Sequence, residues 1–139
     1  MSNSHSMFLI ADKDSFSNSS LIQGLKRLGL AENIVCTSSI SSTIAYLHKQ
    51  RTCSYPFPDF ILYNSHSMNT SEEEFLEVFN QVFTNQEKSK LIFLKEKAAS
   101  KSLSEINGKR VFGELLKPIS LSQLTNIFEL KSQKVSVST

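Results

Sequence analysis

Residues 58–64 read Pro-Asp-Phe-Ile-Leu-Tyr-Asn, a short apolar segment that ends on a polar side chain. Four similar runs lie elsewhere in the chain, at residues 7–11, 34–36, 91–94 and 111–116. Each has the length of a β-strand and is mostly apolar without alternation, which is typical of strands covered on both faces. The sequence therefore predicts five strands in the interior of the protein.

Amphipathic helical patterns occupy the intervals between the predicted strands. The clearest begins at Ser71, which fits a capping box with Glu74 ahead of an apolar face that starts with Phe75. Further helices are predicted around residues 21–28, 40–47, 98–106 and 120–128. Strands that alternate with helices form an open parallel sheet with helices on both faces, and such sheets bind ligands at the carboxyl ends of their strands. Asp12 and Asn64, which follow two of the strands, therefore mark the candidate site.

The composition limits the number of domains and the classes of partner. The chain has 139 residues, the size of one domain, and its 15 Lys and Arg against 13 Asp and Glu give a net charge of +2, too small to indicate nucleic-acid binding. Cys36 and Cys53 lack the Cys-x-x-Cys spacing of metal or redox sites. No run has the length of a membrane span and no signal peptide is evident, so we expect a cytoplasmic protein. We expect residues 1–6 to be disordered, 7–130 to form the domain and 131–139 to form a polar tail, with no room for an output domain.

From about residue 8 to residue 130 the chain resembles the receiver domains of two-component response regulators. Residues 8–12, Phe-Leu-Ile-Ala-Asp, resemble the family's first strand and the first of two acids that hold magnesium, and residues 58–64 resemble the strand that ends on the phosphoacceptor aspartate. Lys117 and Pro118 resemble the family's Lys-Pro pair, in which the lysine contacts the phosphoryl group and the peptide bond is usually cis. The resemblance implies a flavodoxin-like, CheY-like three-layer α/β sandwich, with a five-stranded parallel sheet in the order 2-1-3-4-5 and five helices.

The chain departs from the family pattern at most positions that take part in phosphorylation. Asn64 stands at the phosphoacceptor position, and Lys13, followed by Asp14, replaces the second magnesium-binding acid. Lys95 stands at the switch position of the Thr or Ser that contacts the phosphoryl group, and Glu114 at that of the aromatic switch residue. The resemblance thus implies a pseudo-receiver with a degenerate pocket, which comprises Asp12, Lys13, Asp14, Asn64, Lys95 and Lys117.

These replacements predict the loss of phosphorylation and of magnesium binding. An amide cannot form the mixed anhydride that a carboxylate forms when it accepts a phosphoryl group. Asp14 lies beside the pocket and is left out of the charge count. Asp12 and three lysines, with the neutral Asn64, then give a charge of +2, whereas magnesium prefers several carboxylate oxygens. We therefore expect no catalytic residue, no enzyme activity, no cofactor, no metal ligand and weak or absent magnesium binding.

The leading interpretation is a stand-alone receiver-like protein of two-component or phosphorelay signalling that binds a partner without aspartate phosphorylation. The expected partner is a histidine kinase, a phosphotransfer protein or a regulator, or a second copy of the chain. A second copy would bind through the predicted fourth helix (residues 98–106), the fifth strand (residues 111–116) and the fifth helix (residues 120–128). Neither nucleic acid nor a membrane is expected as a partner. Two alternatives stay open: phosphorylation at a displaced site, Asp14 or Asp59, and binding of a small anion or nucleotide at the helix start around residues 15–20.

Overall fold

Strands and helices alternate along the chain in the computed structural model, which describes residues 6–83, 89–96 and 111–130. The strands are β1 (Met7–Ala11), β2 (Asn33–Thr37), β3 (Phe60–Tyr63), β4 (Lys90–Lys95) and β5 (Val111–Leu116). The helices are α1 (Ser15–Arg27), α2 (Ile40–Thr52), α3 (Ser65–Met68), α4 (Glu72–Val82) and α5 (Leu121–Thr125), and α5 continues into a π-helical turn (Asn126–Leu130). The helix predicted at residues 98–106 and the terminal segments 1–5 and 131–139 lie outside the described residues.

The five strands form one parallel sheet in the order β2-β1-β3-β4-β5, which confirms the predicted topology. At the carboxyl end of β1, Ala11 lies beside Thr37 on one side and Tyr63 on the other. At the ends of β4 and β5, Lys95 lies beside Leu116. The carboxyl ends of the strands therefore share one edge of the sheet, where ligand sites of this architecture lie.

Successive residues of a strand pack into two different apolar layers, because side chains alternate between the faces of a sheet. In β1, Leu9 and Ala11 join a cluster with α2 and α4, while Phe8 and Ile10 join a second cluster with α1 and α5. All four side chains are fully buried. The result is the predicted three-layer sandwich, and the same alternation decides on which face the residues beyond each strand lie.

Polar side chains at the helix starts fix where the helices begin. Ser71 and Glu74 form the predicted capping box of α4, since each side chain accepts a hydrogen bond at 3.1 Å from the other's backbone N–H. Asp14 caps α1 by accepting from the Ser17 N–H at 3.1 Å. Asn64 caps α3, a single helical turn that the sequence does not predict.

A row of aromatic rings joins α4 to the sheet. Tyr63 stacks on Phe75 with ring centroids 4.2 Å apart, and Phe79 lies between Phe75 and Phe83 at centroid distances of 5.9 and 5.2 Å. All four side chains are fully buried. These rings therefore form the core on this side of the sheet.

Phe79→Ala should lower the free energy of unfolding by about 3–5 kcal/mol, because it leaves a cavity among rings that cannot fully close over it. Phe16→Ala is the matched control at a phenylalanine that is 82% exposed. It should change the free energy of unfolding by less than about 0.5 kcal/mol. Urea denaturation of both variants measures the difference, and equal losses would contradict the placement of Phe79 in the core.

Candidate functional site

Four polar side chains gather at the carboxyl edge of the sheet, each on the first residue after a strand. They are Asp12, Asn64, Glu96 and Lys117, which follow β1, β3, β4 and β5. Each lies two residues beyond a buried apolar side chain of the α1 and α5 layer, so the alternation places all four on that face. The sequence reasoning identified three of them and missed Glu96.

Backbone hydrogen bonds of the sheet type hold three of these residues beyond the strand ends. The N–H of Asp12 donates to the last carbonyl of β2 at 3.1 Å, and the N–H of Asn64 donates to the last carbonyl of β1 at 3.0 Å. The N–H of Lys117 donates to the last carbonyl of β4 at 2.8 Å, and the Lys117–Pro118 peptide bond that follows is cis, as the family resemblance implies. The sheet itself therefore positions these side chains.

The Asp12 carboxylate is buried and accepts hydrogen bonds at both oxygens. Its Oδ2 accepts from the Lys117 Nζ at 2.7 Å and from the Asn64 Nδ2 at 3.1 Å. Its Oδ1 accepts from the Ser67 Oγ at 2.7 Å and from the Asp14 backbone N–H at 3.0 Å. These four donors compensate the loss of hydration that burial imposes on the charge.

The surroundings of the Asp12 carboxyl group act on its pKa in opposite directions. Burial is the largest single influence and raises the pKa, because the charged form loses its hydration. Hydrogen bonds to the charged form lower the pKa and together outweigh burial, with the bond from Lys117 the strongest among them. The pKa of Asp12 therefore lies below its ordinary value. Because the folded-state pKa is depressed, Asp12 stabilises the fold above about pH 4, and this stability is lost as the pH falls below that range.

Asn64 uses both ends of its amide. The Oδ1 accepts from the backbone N–H groups of His66 and Ser67 at 3.0 and 3.4 Å, which begins α3. The Nδ2 donates to the Asp12 Oδ2 and to the Glu96 Oε2, both at 3.1 Å. The orientation of the amide follows from these partners, since only the nitrogen end can donate to the two carboxylates.

The pocket is negative, which corrects the charge expected from the sequence. The Lys117 Nζ lies 3.8 Å from Asp14 and 3.9 Å from Glu96 in addition to its close contact with Asp12. Three carboxylates around one ammonium give a charge of −2, whereas the sequence predicts +2. The Lys13 side chain is exposed, and its residue contacts the site through its backbone N–H, which donates to the Ser67 Oγ at 3.1 Å.

Lys95 lies on the opposite face of the sheet from the pocket. It follows Phe93 of the α2 and α4 layer by two residues, and its Nζ lies 3.0 Å from the Glu72 Oε1 and 3.8 Å from the Glu114 Oε1. Lys95 and Glu72 are both buried. The two expected switch positions, Lys95 and Glu114, therefore form an ion-pair cluster with Glu72, the first residue of α4. The sequence indicates Glu72 only as an acid at a helix start.

The residues of the two alternative interpretations have other roles in the structure. Asp59 precedes β3 at the amino edge of the sheet, where its Oδ2 accepts from the Met7 N–H at 2.7 Å, so it lies at the opposite edge from Lys117. At the start of α1, the Asp14 carboxylate already accepts from the Ser17 N–H. A carboxylate at this helix start disfavours the binding of a small anion there.

Two further features concern metal ions and membranes. Within residues 6–83, 89–96 and 111–130, no group of three or more His, Cys, Asp or Glu side chains is arranged to hold a metal ion. In that same part of the chain, no helix combines the length and the apolar character needed to cross a membrane. Cys36 and Cys53 are free, exposed thiols.

Solved structures of response regulators have the same fold. A two-component response regulator from Cytophaga hutchinsonii is 17% identical with a TM-score of 0.76, and the match covers 92% of this chain and 97% of that one. One from Legionella pneumophila is 16% identical with a TM-score of 0.71, covering 93% and 99%. A receiver domain protein from Clostridium thermocellum is 13% identical with a TM-score of 0.69, covering 97% and 100%. No protein-family model and no curated protein matches the sequence. At these identities the likeness shows the fold: the chain has the CheY-like fold of response regulator receiver domains.

Lys117→Met should lower the free energy of unfolding at pH 7 by about 3–5 kcal/mol, because it leaves the buried Asp12 carboxylate without its cation. The pKa of Asp12 should rise relative to the wild type, so acid destabilisation should begin at a higher pH. Urea denaturation across the acid range and a carbon NMR titration of Asp12 measure both effects. Lys13→Met, at the exposed neighbouring lysine, is the matched control and should leave both quantities nearly unchanged. A loss in the control equal to that in Lys117→Met would place Lys13 in the pocket.

Proposed function

We propose that this chain is a pseudo-receiver of two-component or phosphorelay signalling, which binds a partner protein and accepts no phosphoryl group on an aspartate. The observation that supports the proposal is the amide of Asn64, which stands at the phosphoacceptor position and is hydrogen-bonded at both ends. A neutral amide at that position forms no acyl phosphate. The proposal therefore includes no catalytic residue and no enzyme activity.

Magnesium does not fit this pocket, for a reason different from the one that the sequence indicates. The pocket has enough negative charge, but the ammonium of Lys117 already lies at its centre, 2.7 Å from the Asp12 Oδ2. The Nδ2 of Asn64 occupies a lone pair of Asp12 and another of Glu96. A hard dication requires several free oxygen ligands, and here it would have to displace both donors. Weak or absent magnesium binding is therefore part of the proposal.

The switch positions support a single, fixed signalling surface. Lys95 joins β4 to the start of α4 through Glu72, and it joins β5 through Glu114. Removing one partner of a buried ion pair costs about 3–5 kcal/mol, so the arrangement resists rearrangement. We infer that a partner recognises this one arrangement of Lys95, Glu72 and Glu114, because in this proposal no phosphoryl group is bound that could favour a different arrangement of these side chains.

Wild-type protein incubated with magnesium and acetyl phosphate should show no increase in intact mass. Asn64→Asp removes the amide donor and adds a carboxylate beside Asp12 and Glu96, so its magnesium affinity should exceed that of the wild type by about tenfold or more. Isothermal titration calorimetry measures the affinity. Asn69→Asp, at an exposed asparagine beyond α3, is the matched control and should leave magnesium binding at the wild-type level. Phosphorylation of the wild type at any aspartate would contradict the proposal.

The proposed partner surface includes β5 and α5, with the helix predicted at residues 98–106. β5 is an edge strand of the sheet, and its Leu116 side chain is 47% exposed. Glu114, two residues earlier, is 40% exposed in its side chain and lies on the same face by alternation. An apolar residue beside a charged one gives this surface both contact area and a means of selecting its partner. The proposed partner is a histidine kinase, a phosphotransfer protein, a regulator or a second copy of this chain.

Glu114→Lys should weaken binding of the native partner by at least about tenfold, because it places a like charge against a surface selected for a carboxylate. Affinity capture with the purified variant and the wild type measures the loss, and sedimentation velocity measures self-association. Glu77→Lys, at an exposed acid on α4, is the matched control and should retain binding. Thermal unfolding of both variants checks that the contact of Glu114 with Lys95 is not the cause. Unchanged binding of Glu114→Lys would place the interface elsewhere.

A further inference from the structure

A cavity of 390 Å³ opens beside the Asp12 pocket, between the first turns of α1 and the loop that joins β5 to α5. Leu21, Pro118 and Ile119 form its apolar wall. The ring of Phe16, which is 82% exposed, also lines the cavity. A cavity of this volume with a largely apolar wall has the size and character of a small-molecule site.

The polar wall of the cavity has an excess of negative charge. Asp14, Glu96 and Lys117 line it together. Lys117 makes its close contact with Asp12, at 2.7 Å, and lies 3.8 and 3.9 Å from the carboxylates of Asp14 and Glu96. Because Asp12 and Lys117 are neutral as a pair, the two other carboxylates leave a charge of −2 at the cavity. Both are partly exposed, so a ligand in the cavity can reach them.

The two walls together determine the chemistry of a matching ligand. A charge of −2 repels an anion and attracts a cation. A bare metal ion gains nothing from the apolar wall, whereas an organic cation buries its carbon atoms there. The ring of Phe16 offers the apolar body of such a ligand a further contact. The ligand class that uses every wall is an ammonium group on an apolar body.

We propose that this cavity binds a small organic ammonium ion, with its charge between Asp14 and Glu96 and its apolar part against Phe16, Pro118 and Ile119. Such a ligand lies next to Lys117, which is paired with Asp12. Its binding could therefore change the Asp12 pocket without a phosphoryl group. The proposal does not depend on which partner the protein binds.

Phenethylamine, which is protonated at neutral pH, is the probe, and 2-phenylethanol is its neutral counterpart of the same shape. Titration of the full chain with each, followed by two-dimensional amide NMR, should shift the signals of Ser17, Ser20 and Ile119. The amine should bind about five- to tenfold more tightly than the alcohol, as expected for two partly exposed charge pairs.

Three variants test which walls are responsible. Asp14→Asn combined with Glu96→Gln should abolish the preference for the amine, while the asparagine still caps α1. Glu77→Gln, at an exposed acid on α4, is the matched control and should preserve the preference. Phe16→Ala should weaken binding of both probes by about threefold, because both place a ring against Phe16.

Four results would overturn the proposal. These are the absence of amide shifts at millimolar amine, equal binding of amine and alcohol, and equal loss of preference in Glu77→Gln and the double variant. The fourth is displacement of the amine by magnesium at a lower concentration than that of the amine, which would assign the two carboxylates to a metal ion instead.

Discussion

The ion pair between Asp12 and Lys117 joins two strands that are not neighbours. β3 and β4 separate β1 from β5 in the sheet, yet the Lys117 Nζ lies 2.7 Å from the Asp12 Oδ2 at the carboxyl edge. Burial of two charges costs several kcal/mol each in lost hydration, so such a pair persists only where further hydrogen bonds satisfy it. Ser67 and Asn64 supply those bonds to Asp12. Lys117, Ser67 and Asn64 together therefore satisfy the buried Asp12 carboxylate.

Asn64 meets that requirement in a way that a carboxylate cannot. Its nitrogen donates to Asp12 and Glu96, while its oxygen accepts from the backbone of α3. A carboxylate in the same place would face two like charges at short range without a proton to donate, which raises a pKa or recruits a cation. The amide instead donates a hydrogen bond to each of the two carboxylates, so neither needs a bound cation at this point. The amide of Asn64, which as a neutral group forms no acyl phosphate, is thus the group that hydrogen-bonds both carboxylates of the site.

The order of the strands could be predicted from the apolar runs and the family motifs, but the charge of the pocket could not be predicted from proximity along the sequence. Lys95 and Glu96 are adjacent in the chain and lie on opposite faces of the sheet. Counting in steps of two from the buried Leu94 assigns Glu96 to the pocket and Lys95 to the other layer. The pairing of Lys95 with Glu72 depends on how α4 packs on the sheet. It could not be predicted from the sequence, because an acid is favourable at a helix start without any lysine beside it. The α3 turn could not be predicted, because its four residues are too few to show the apolar period of a helix.

The cap of α3 has an evolutionary consequence. An asparagine and an aspartate oxygen accept equally well from the N–H groups at a helix start, so this turn forms with either residue. The codons for the two amino acids differ at one base. A lineage with this backbone can therefore gain or lose an acidic residue at position 64 in a single mutational step while the polypeptide keeps its architecture. Such a step changes the charge of the pocket and leaves the helical turn in place.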